Sequence, residues 1–486
     1  MIVDLAEHQV GELPTFDVCV AGAGVAGLTI ALQLAERGRN VALIEAGGRD
    51  QTSASQDFYR GDNDGVENLS LDRTRLRMLG GSSNHWGGWC RPLDSYDFLR
   101  SDLTAGVGWP ITDADLSPYF EKAAAVLGVD AASGSDLPVS AANGNLQSIR
   151  MLFSQPPAHL GERFYDAMMA APNLTVFLNA AVAAPRLDAS TQRVEVLSVR
   201  PPTGGPAFEC RGRLFELALG TVENNRMLLL WNRDYGNRLA NPLILGRYYM
   251  QHLHQDLGQF VLLDNAARPG TAAGMDEQNV FLSSTEAFLR ATGVGAFRLY
   301  STALSCEPLV DQLSQIATAT TCASITDGGQ LFITCEQMPN DASRITLGPG
   351  ADAFGVPRVR LDWEITTADA RTLREAALEF GRYLIRAQLG RLKVNPAVLD
   401  GTVPLSGWTA LPSAPGAAGH QMGGLRMSRT PDDGVTNPDC RLWNIPNLYV
   451  AGAGVFRTSG HANPTLTLTQ LALRLADTLN AQLSSQ

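Results

Sequence analysis

No uncharged apolar run reaches the roughly 18 residues that a membrane-spanning helix needs, so no membrane span is expected. Cysteine usage is equally uninformative about bridges. Cys19, Cys90, Cys210, Cys306, Cys322, Cys335 and Cys440 are odd in number, scattered, and form no CxxC. That argues against a disulfide framework or a zinc site, and for a reducing compartment. No Lys/Arg block interrupts a formal net charge of -11, which disfavours a nucleic-acid partner. The opening stretch MIVDLAEHQVGELPTF lacks the basic and apolar regions of a secretory signal, and the expectation is a cytoplasmic protein. Internal repeats and low-complexity tracts are missing too. What remains is a chain of 486 residues, 45% hydrophobic and 18% charged, with the composition of an ordinary globular protein. It is longer than one hydrophobic core supports, so two intertwined domains are expected.

Residues 17–47 read as strand, turn, helix and strand. Asp17–Ala21 is a short apolar run suited to a buried parallel strand, and Leu28, Ala31, Leu32 and Ala35 then recur at helical spacing. Gly38 suits the end of that helix, and residues 40–45 (NVALIE) form the second strand. A βαβ start of this kind implies an α/β fold. Gly22-Ala-Gly24-Val-Ala-Gly27 lies in the first turn. Gly22 permits the tight turn, Gly24 lets a pyrophosphate approach the backbone, and Gly27 allows the helix to pack closely on the strand. The helix N-terminus then offers free N–H donors to the phosphates. Glu45, 18 residues beyond Gly27, is placed to hold the ribose hydroxyls. An acidic surface does not oppose such an anionic cofactor, because backbone N–H groups supply the positive end.

Further along, residues 74–110 are rich in Gly, Ser and Trp and suggest an extended functional loop. Residues 111–128 read as a helix. Strand-like runs in 174–220 precede a helix from Glu223 to Trp231. From about 255 to 363, strand-like segments such as QLFITCEQ and RVRLDWEI alternate with turn residues and suit an antiparallel sheet. A helix over Ala368–Leu389, a strand at NLYVAG and a helix from Pro464 complete the chain. The fold class expected is α/β, α+β overall: a Rossmann-like domain on a parallel sheet plus a second domain on an antiparallel sheet. A glycine motif at the N-terminus with a closing segment at the C-terminus favours FAD over NAD.

The last 70 residues are the most specific part. They contain His420 followed by Gly423, Gly424, Arg426 and Met427, then Asn447-Leu-Tyr-Val-Ala-Gly452 and Asn463-Pro464-Thr465-Leu-Thr467. Together with Gly80-Gly81-Ser82-Ser83-Asn84-His85-Trp86, Glu336-Gln-Met-Pro-Asn340, Ser343-Arg344 and Phe354-Gly-Val-Pro357, they resemble the glucose–methanol–choline (GMC) oxidoreductases, in particular their pyranose-oxidase-like branch. The resemblance runs from residue 17 to 475. It implies an FAD domain assembled from residues 14–105, 170–250 and 406–486, a substrate domain over 251–405, and hydride transfer from a CH–OH group to flavin N5. By motif position, His420 is the general base and Asn463 its partner. Cofactor-binding residues are Gly22, Gly24, Gly27, Glu45, Gly81, Ser82, Asn84, His85, Trp86, Gly452, Asn463, Pro464 and Thr465.

The chemistry of these residues agrees. Removing a C–H bond as hydride requires loss of the O–H proton, and neutral imidazole suits that task near pH 7. Asn463 can hold the substrate oxygen but cannot act as base, and it also reads as an N-cap ahead of Pro464. His461 is a candidate substrate contact. His252 and His254 form an HxH pair that a strand would set on one face, without an evident third ligand, so no metal site is expected. Trp86, Trp89 and Trp109 read as packing residues. His85 corresponds to the loop histidine that some pyranose oxidases join to the flavin, but Asn84 stands where those enzymes have Thr. The expectation is His85 against the isoalloxazine ring without a bond. Substrates are expected to be sugars, glycosides or other alcohols, with oxygen, a quinone or a redox partner as acceptor, and a homo-oligomer is compatible. Two alternatives stand beside this: a flavin monooxygenase, and a non-catalytic nucleotide-fold binding protein.

Overall fold

The Phe16–Ala21 strand runs into the Val25–Glu36 helix and returns as Val41–Ile44, with the two strands parallel. The helix stops at Arg37 because Gly38 follows at φ +79°, a conformation open to glycine. The computed structural model describes the chain except residues 8–12, 67–69, 102, 104–107, 132–143, 202–206, 263–279, 304–326, 403–418 and 486. Cys306 and Cys322 lie outside the described residues.

This unit is the middle of an eight-stranded sheet. Its order is 2–4, 174–178, 41–44, 16–21, 208–217, 194–200, 181–187, with 448–450 also pairing 208–217. The strands from 2–4 to 208–217 and 448–450 pair in parallel, whereas 181–187, 194–200 and the start of 208–217 form an antiparallel meander. The chain therefore returns over 200 residues later to complete the sheet that its N-terminus began. The Pro464–Ser484 helix packs on Val25–Glu36, and Arg39 Nε donates to Asn480 Oδ1 at 2.8 Å across that contact.

A second sheet is antiparallel throughout, in the order 390–394, 253–262, 327–335, 297–303, 280–284, 146–150. One face is covered by the Thr367–Arg386 helix, opened by a reciprocal cap between Thr366 and Asp369. Leu373, Ala376, Ala377, Phe380 and Leu384 recur on one side of that helix and are buried, with the Phe380 ring 5.7 Å from Phe260. Each large apolar side chain buried there contributes about 1.5–3 kcal/mol. The other face carries a polar row, because directly paired residues on neighbouring strands share a face. His254 pairs with Thr334, and Thr334 with Arg298; two residues along, Phe332 pairs with Tyr300.

The expected elements are found near their expected bounds except over 111–128. There, two short 3₁₀ turns at Asp113–Asp115 and Ser117–Tyr119 precede a helix confined to Phe120–Leu127. Pro118 supplies no N–H for a continuous helix, which explains the late start. Among the described residues no helix is long and apolar enough to cross a membrane.

Candidate active site

Between the two sheets lies a cavity of about 760 Å³, a size usual for a small-molecule or cofactor site. At one end it is lined by Gly22, Gly24, Val25, Ala26 and Glu45. Gly22 has φ +102°, and a Cβ there would stand 2.4 Å from the Ala218 carbonyl oxygen. At Gly27 a Cβ would stand 1.8 Å from the Gly22 carbonyl oxygen, so this glycine does not line the cavity but lets helix meet strand. Gly24 differs: a Cβ would meet nothing within 4 Å, and its backbone borders the cavity at the uncapped start of the helix. Glu45 Oε2 accepts from Ala23 N–H and Oε1 from Gly47 N–H, both at 2.8 Å. Burial raises its pKa, against the lowering effect of those bonds and of Arg77.

The expected flavin loop forms a 3₁₀ turn over Gly81–Asn84, and Gly81, Ser82, His85 and Trp86 border the cavity. Asn84 does not. Its amide donates to the Leu79 and Gly81 carbonyls at 2.9 Å each, so it shapes the loop rather than lining the cavity. His85 Nε2 is buried without a hydrogen-bond partner among the described residues, and burial lowers the ring's pKa. Trp86 and Trp89 also face the cavity, while Trp109 is buried between Phe98 and Phe456 with Nε1 donating to Thr458 Oγ1.

His420, Asn463, Pro464, Thr465 and Gly452 also line the cavity. Asn463 Nδ2 lies 3.2 Å from His420 Nε2. Asn463 precedes the helix, but its side chain makes no capping bond, because the amide is turned to His420 instead. The other face of His420 meets a residue that the sequence offered only as half of an HxH pair. His420 Nδ1 lies 2.8 Å from His252 Nδ1, with the rings edge to face. His252 Nε2 in turn lies 3.3 Å from the Ser459 carbonyl oxygen. A carbonyl only accepts, so Nε2 of neutral His252 carries the proton and Nδ1 the lone pair. His420 must then donate from Nδ1, which leaves a lone pair on Nε2 beside Asn463. Burial holds the His420 pKa well below the ordinary imidazole value, helped by His252, His254 and Arg298. His252 is likewise pushed down to about 3, chiefly by burial.

His254 sits one strand over from Thr334, whose Oγ1 is 3.0 Å from its Nδ1. No group of three or more His, Cys, Asp or Glu among the described residues could hold a metal. His461 is not in the cavity wall. Its Nε2 lies 3.2 Å from Asp94 Oδ2 and 3.1 Å from Ser283 Oγ. The expected substrate contact is thus a buried loop anchor.

These residues fit a flavin dinucleotide. The three glycines at the cavity wall where a Cβ would meet no atom, Gly24, Gly220 and Gly452, leave room for it. His85 Nε2 and Asn463 Oδ1 are buried polar atoms without partners among the described residues, one on the flavin loop and one beside His420. Residues 17–105 match the FAD dependent oxidoreductase family model, and 339–472 match the GMC oxidoreductase model for the C-terminal domain. The chain is an FAD-dependent oxidoreductase whose C-terminal part is similar to the GMC oxidoreductases. It is 23% identical to a 2-methyl-1,2-propanediol dehydrogenase of Mycolicibacterium austroafricanum, over 96% of each chain. A C-glycoside 3-oxidase of Arthrobacter globiformis is 36% identical over 28% of this chain and 23% of that one. A formate oxidase structure from Aspergillus oryzae superposes with a TM-score of 0.57, at 16% identity over 97% of this chain and 99% of that one. The alternatives of a monooxygenase and of a binding protein without catalysis fall away.

Of the functional neighbourhood, the sequence reading missed His252 as the partner of His420, and it missed Arg298 and Tyr300 in the cavity wall. The HxH pair was the available signal for the first. For the second, only the alternation of the Phe297–Ala303 strand marked Arg298 and Tyr300 as sharing a face.

Proposed function

We propose that this enzyme oxidises a CH–OH group of a sugar, glycoside or other polyol to the carbonyl, with His420 as the general base. The observation that carries the reading is His420 Nε2, an acceptor at the cavity wall that takes an N–H from Asn463 and is held in that tautomer by His252. Bound FAD supplies the hydride acceptor. His420 Nε2 takes the hydroxyl proton as the C–H bond breaks, and the charge it gains is shared with His252 through the Nδ1–H bond. The Asn463 amide holds the substrate oxygen within reach of Nε2. Its Oδ1, without a partner among the described residues, offers an acceptor for a second substrate hydroxyl. Trp86 and Trp89 form the apolar wall that keeps water from the reacting atoms.

In this reading residues 14–105, 170–250 and 406–486 form the FAD domain and 251–405 most of the substrate domain. Support for a sugar or glycoside comes from the pyranose-oxidase-like closing segment and from the glycoside oxidase relative. The free, buried cysteines Cys19, Cys90, Cys210, Cys335 and Cys440 support a cytoplasmic location, and oxygen, a quinone or a redox partner completes the cycle. The test is anaerobic mixing of the yellow protein with a panel of sugars, glycosides and simple alcohols while flavin absorbance is followed, before oxygen is admitted. Bleaching by a sugar or glycoside supports the reading. Bleaching by simple alcohols alone overturns the substrate class, and bleaching by none overturns the reaction.

A further inference from the structure

Arg298 projects from the Phe297–Ala303 strand into the cavity wall. It is 2% exposed. Nη1 donates to the His461 carbonyl oxygen at 2.6 Å, and the guanidinium stands 5.8 Å from the Trp89 ring centre. Nε is buried without a partner, and no carboxylate among the described residues lies within ion-pair distance. Three other cations near the site are paired, Arg91 with Asp94 at 2.5 Å, Arg100 with Glu336 at 3.4 Å and Arg75 with Glu223 at 3.6 Å, whereas Arg77 lines the cavity at the Glu45 end and donates to Ser55. A buried charge left uncompensated is costly, and burial pulls the Arg298 pKa down to about 10, helped by Arg91 and opposed by Tyr300. Among the described residues, then, the Arg298 charge on this side of the cavity has no carboxylate counter-ion.

The position of that charge relates it to the reacting group. Arg298, Thr334 and His254 are directly paired on three neighbouring strands, facing the same way. The His254 ring is 6.3 Å from the His420 ring, and Arg298 and His420 line the same cavity. Tyr300, two residues on from Arg298, lines the same wall. An alcohol with its hydroxyl at His420 would extend its far end along this row.

We propose that the substrate is an alcohol bearing a single carboxylate, a sugar acid or a hydroxy acid, and that Arg298 is the specificity residue that binds it. This rests on the CH–OH oxidation proposed above and adds the charge of the substrate. A buried guanidinium with no carboxylate partner among the described residues matches a monoanion, to which it makes paired, charge-assisted bonds. Cationic aminosugars are excluded by the same charge.

Matched pairs that differ only in the acid group test this: glucuronate against glucose, glycerate against glycerol, lactate against 1,2-propanediol. Anaerobic flavin reduction should favour the acid in at least one pair by roughly tenfold or more in the second-order rate constant, the worth of one charge-assisted hydrogen bond. Arg298→Met should abolish that preference while Arg298→Lys keeps part of it. A readout without turnover is calorimetric binding of tetrahydropyran-2-carboxylate, which carries the acid but no hydroxyl. It should bind the wild-type holoenzyme, with tetrahydropyran itself much weaker, and this arm stands even where Arg298→Met fails to fold. Neutral members reducing the flavin as well as the acids would overturn the proposal and leave alcohol oxidation standing. Reduction by neither member of any pair would instead count against the oxidation itself. Arg298→Met that shifts the flavin potential with pair preference unchanged would assign the charge to the cofactor and overturn the proposal as well.

Discussion

His420 Nδ1 stands 2.8 Å from His252 Nδ1, and this contact decides which nitrogen of His420 carries the proton and which accepts. The Ser459 carbonyl sets the His252 proton on Nε2, and His252 then sets the His420 proton on Nδ1. His252 is thus a positioning residue that never needs to touch substrate. His252→Ala should slow flavin reduction by roughly tenfold, the worth of one hydrogen bond of about 1.4 kcal/mol. His252→Gln, whose Oε1 can accept from Nδ1–H, should recover part of the rate. Stopped-flow reduction at equal FAD content is the measurement. Equal rates for His252→Ala and wild type would remove the tautomer argument.

The same experiment separates His420 from Asn463. A positioned general base contributes roughly 10²–10⁴-fold, so His420→Ala should lose about that much in reduction rate with FAD still bound. Asn463→Ala loses one or two hydrogen bonds to substrate and should cost roughly 10–100-fold. Its side chain caps no helix N–H in this structure, so the variant should keep the wild-type melting temperature to within a few degrees. A large fall in melting temperature would show that the amide supports the loop instead.

Gly24 permits a cleaner test of the cofactor site than its neighbours. Its φ of -83° suits any residue, and a side chain there would point into open cavity. Gly24→Leu should fold with wild-type circular dichroism and emerge from purification largely colourless. Gly22→Leu should damage the fold itself, since its φ is +102° and the Ala218 carbonyl is in the way. Stoichiometric FAD in Gly24→Leu, read from the absorbance ratio, would move the pyrophosphate elsewhere.

His85 borders the cavity as a neutral imidazole with Nε2 unpartnered among the described residues. Asn84, the residue that departs from the pyranose-oxidase loop, is spent on the loop's own carbonyls. The flavin is expected to be held without a covalent bond. Acid precipitation should leave the yellow colour in the supernatant, and colour retained in the pellet would establish the bond.

Local signals were legible in the sequence where one segment carries the whole chemistry. The glycine turn is such a case, because strand, turn and helix lie within 21 residues of Phe16 and the reason for each glycine is steric. The pairing of His420 with Asn463 came from motif position, since 43 residues separate them. His252 was seen only as half of an HxH pair without a third ligand, and only the fold brings the His420 imidazole to its side. His461 was misjudged in the opposite direction. Sequence proximity to Asn463 suggested substrate, but Asp94, 367 residues away, offers its ring a stronger electrostatic partner. Arg298 left no trace beyond strand alternation, since a lone arginine in a strand is ordinary until its described neighbours prove to lack a carboxylate.

The pH profile of reduction joins these strands. His420 must be unprotonated to accept the substrate proton, so activity rises with pH through its pKa and is flat above it. Burial, His252, His254 and Arg298 all lower that pKa below the ordinary value of about 6.5. The acid limb of kcat/KM, which reports the free enzyme, should therefore lie well below pH 6.5, with no loss of activity between about pH 6.5 and 8 from this group. Removing the positive charge at Arg298 takes away one of the lowering influences. In Arg298→Met the acid limb should move upward, towards 6.5, measured with a neutral alcohol so that substrate charge does not enter. An acid limb at or above 6.5 in the wild type would mean that His420 is solvated or paired with an anion in the working enzyme, against the buried, cation-flanked ring described above.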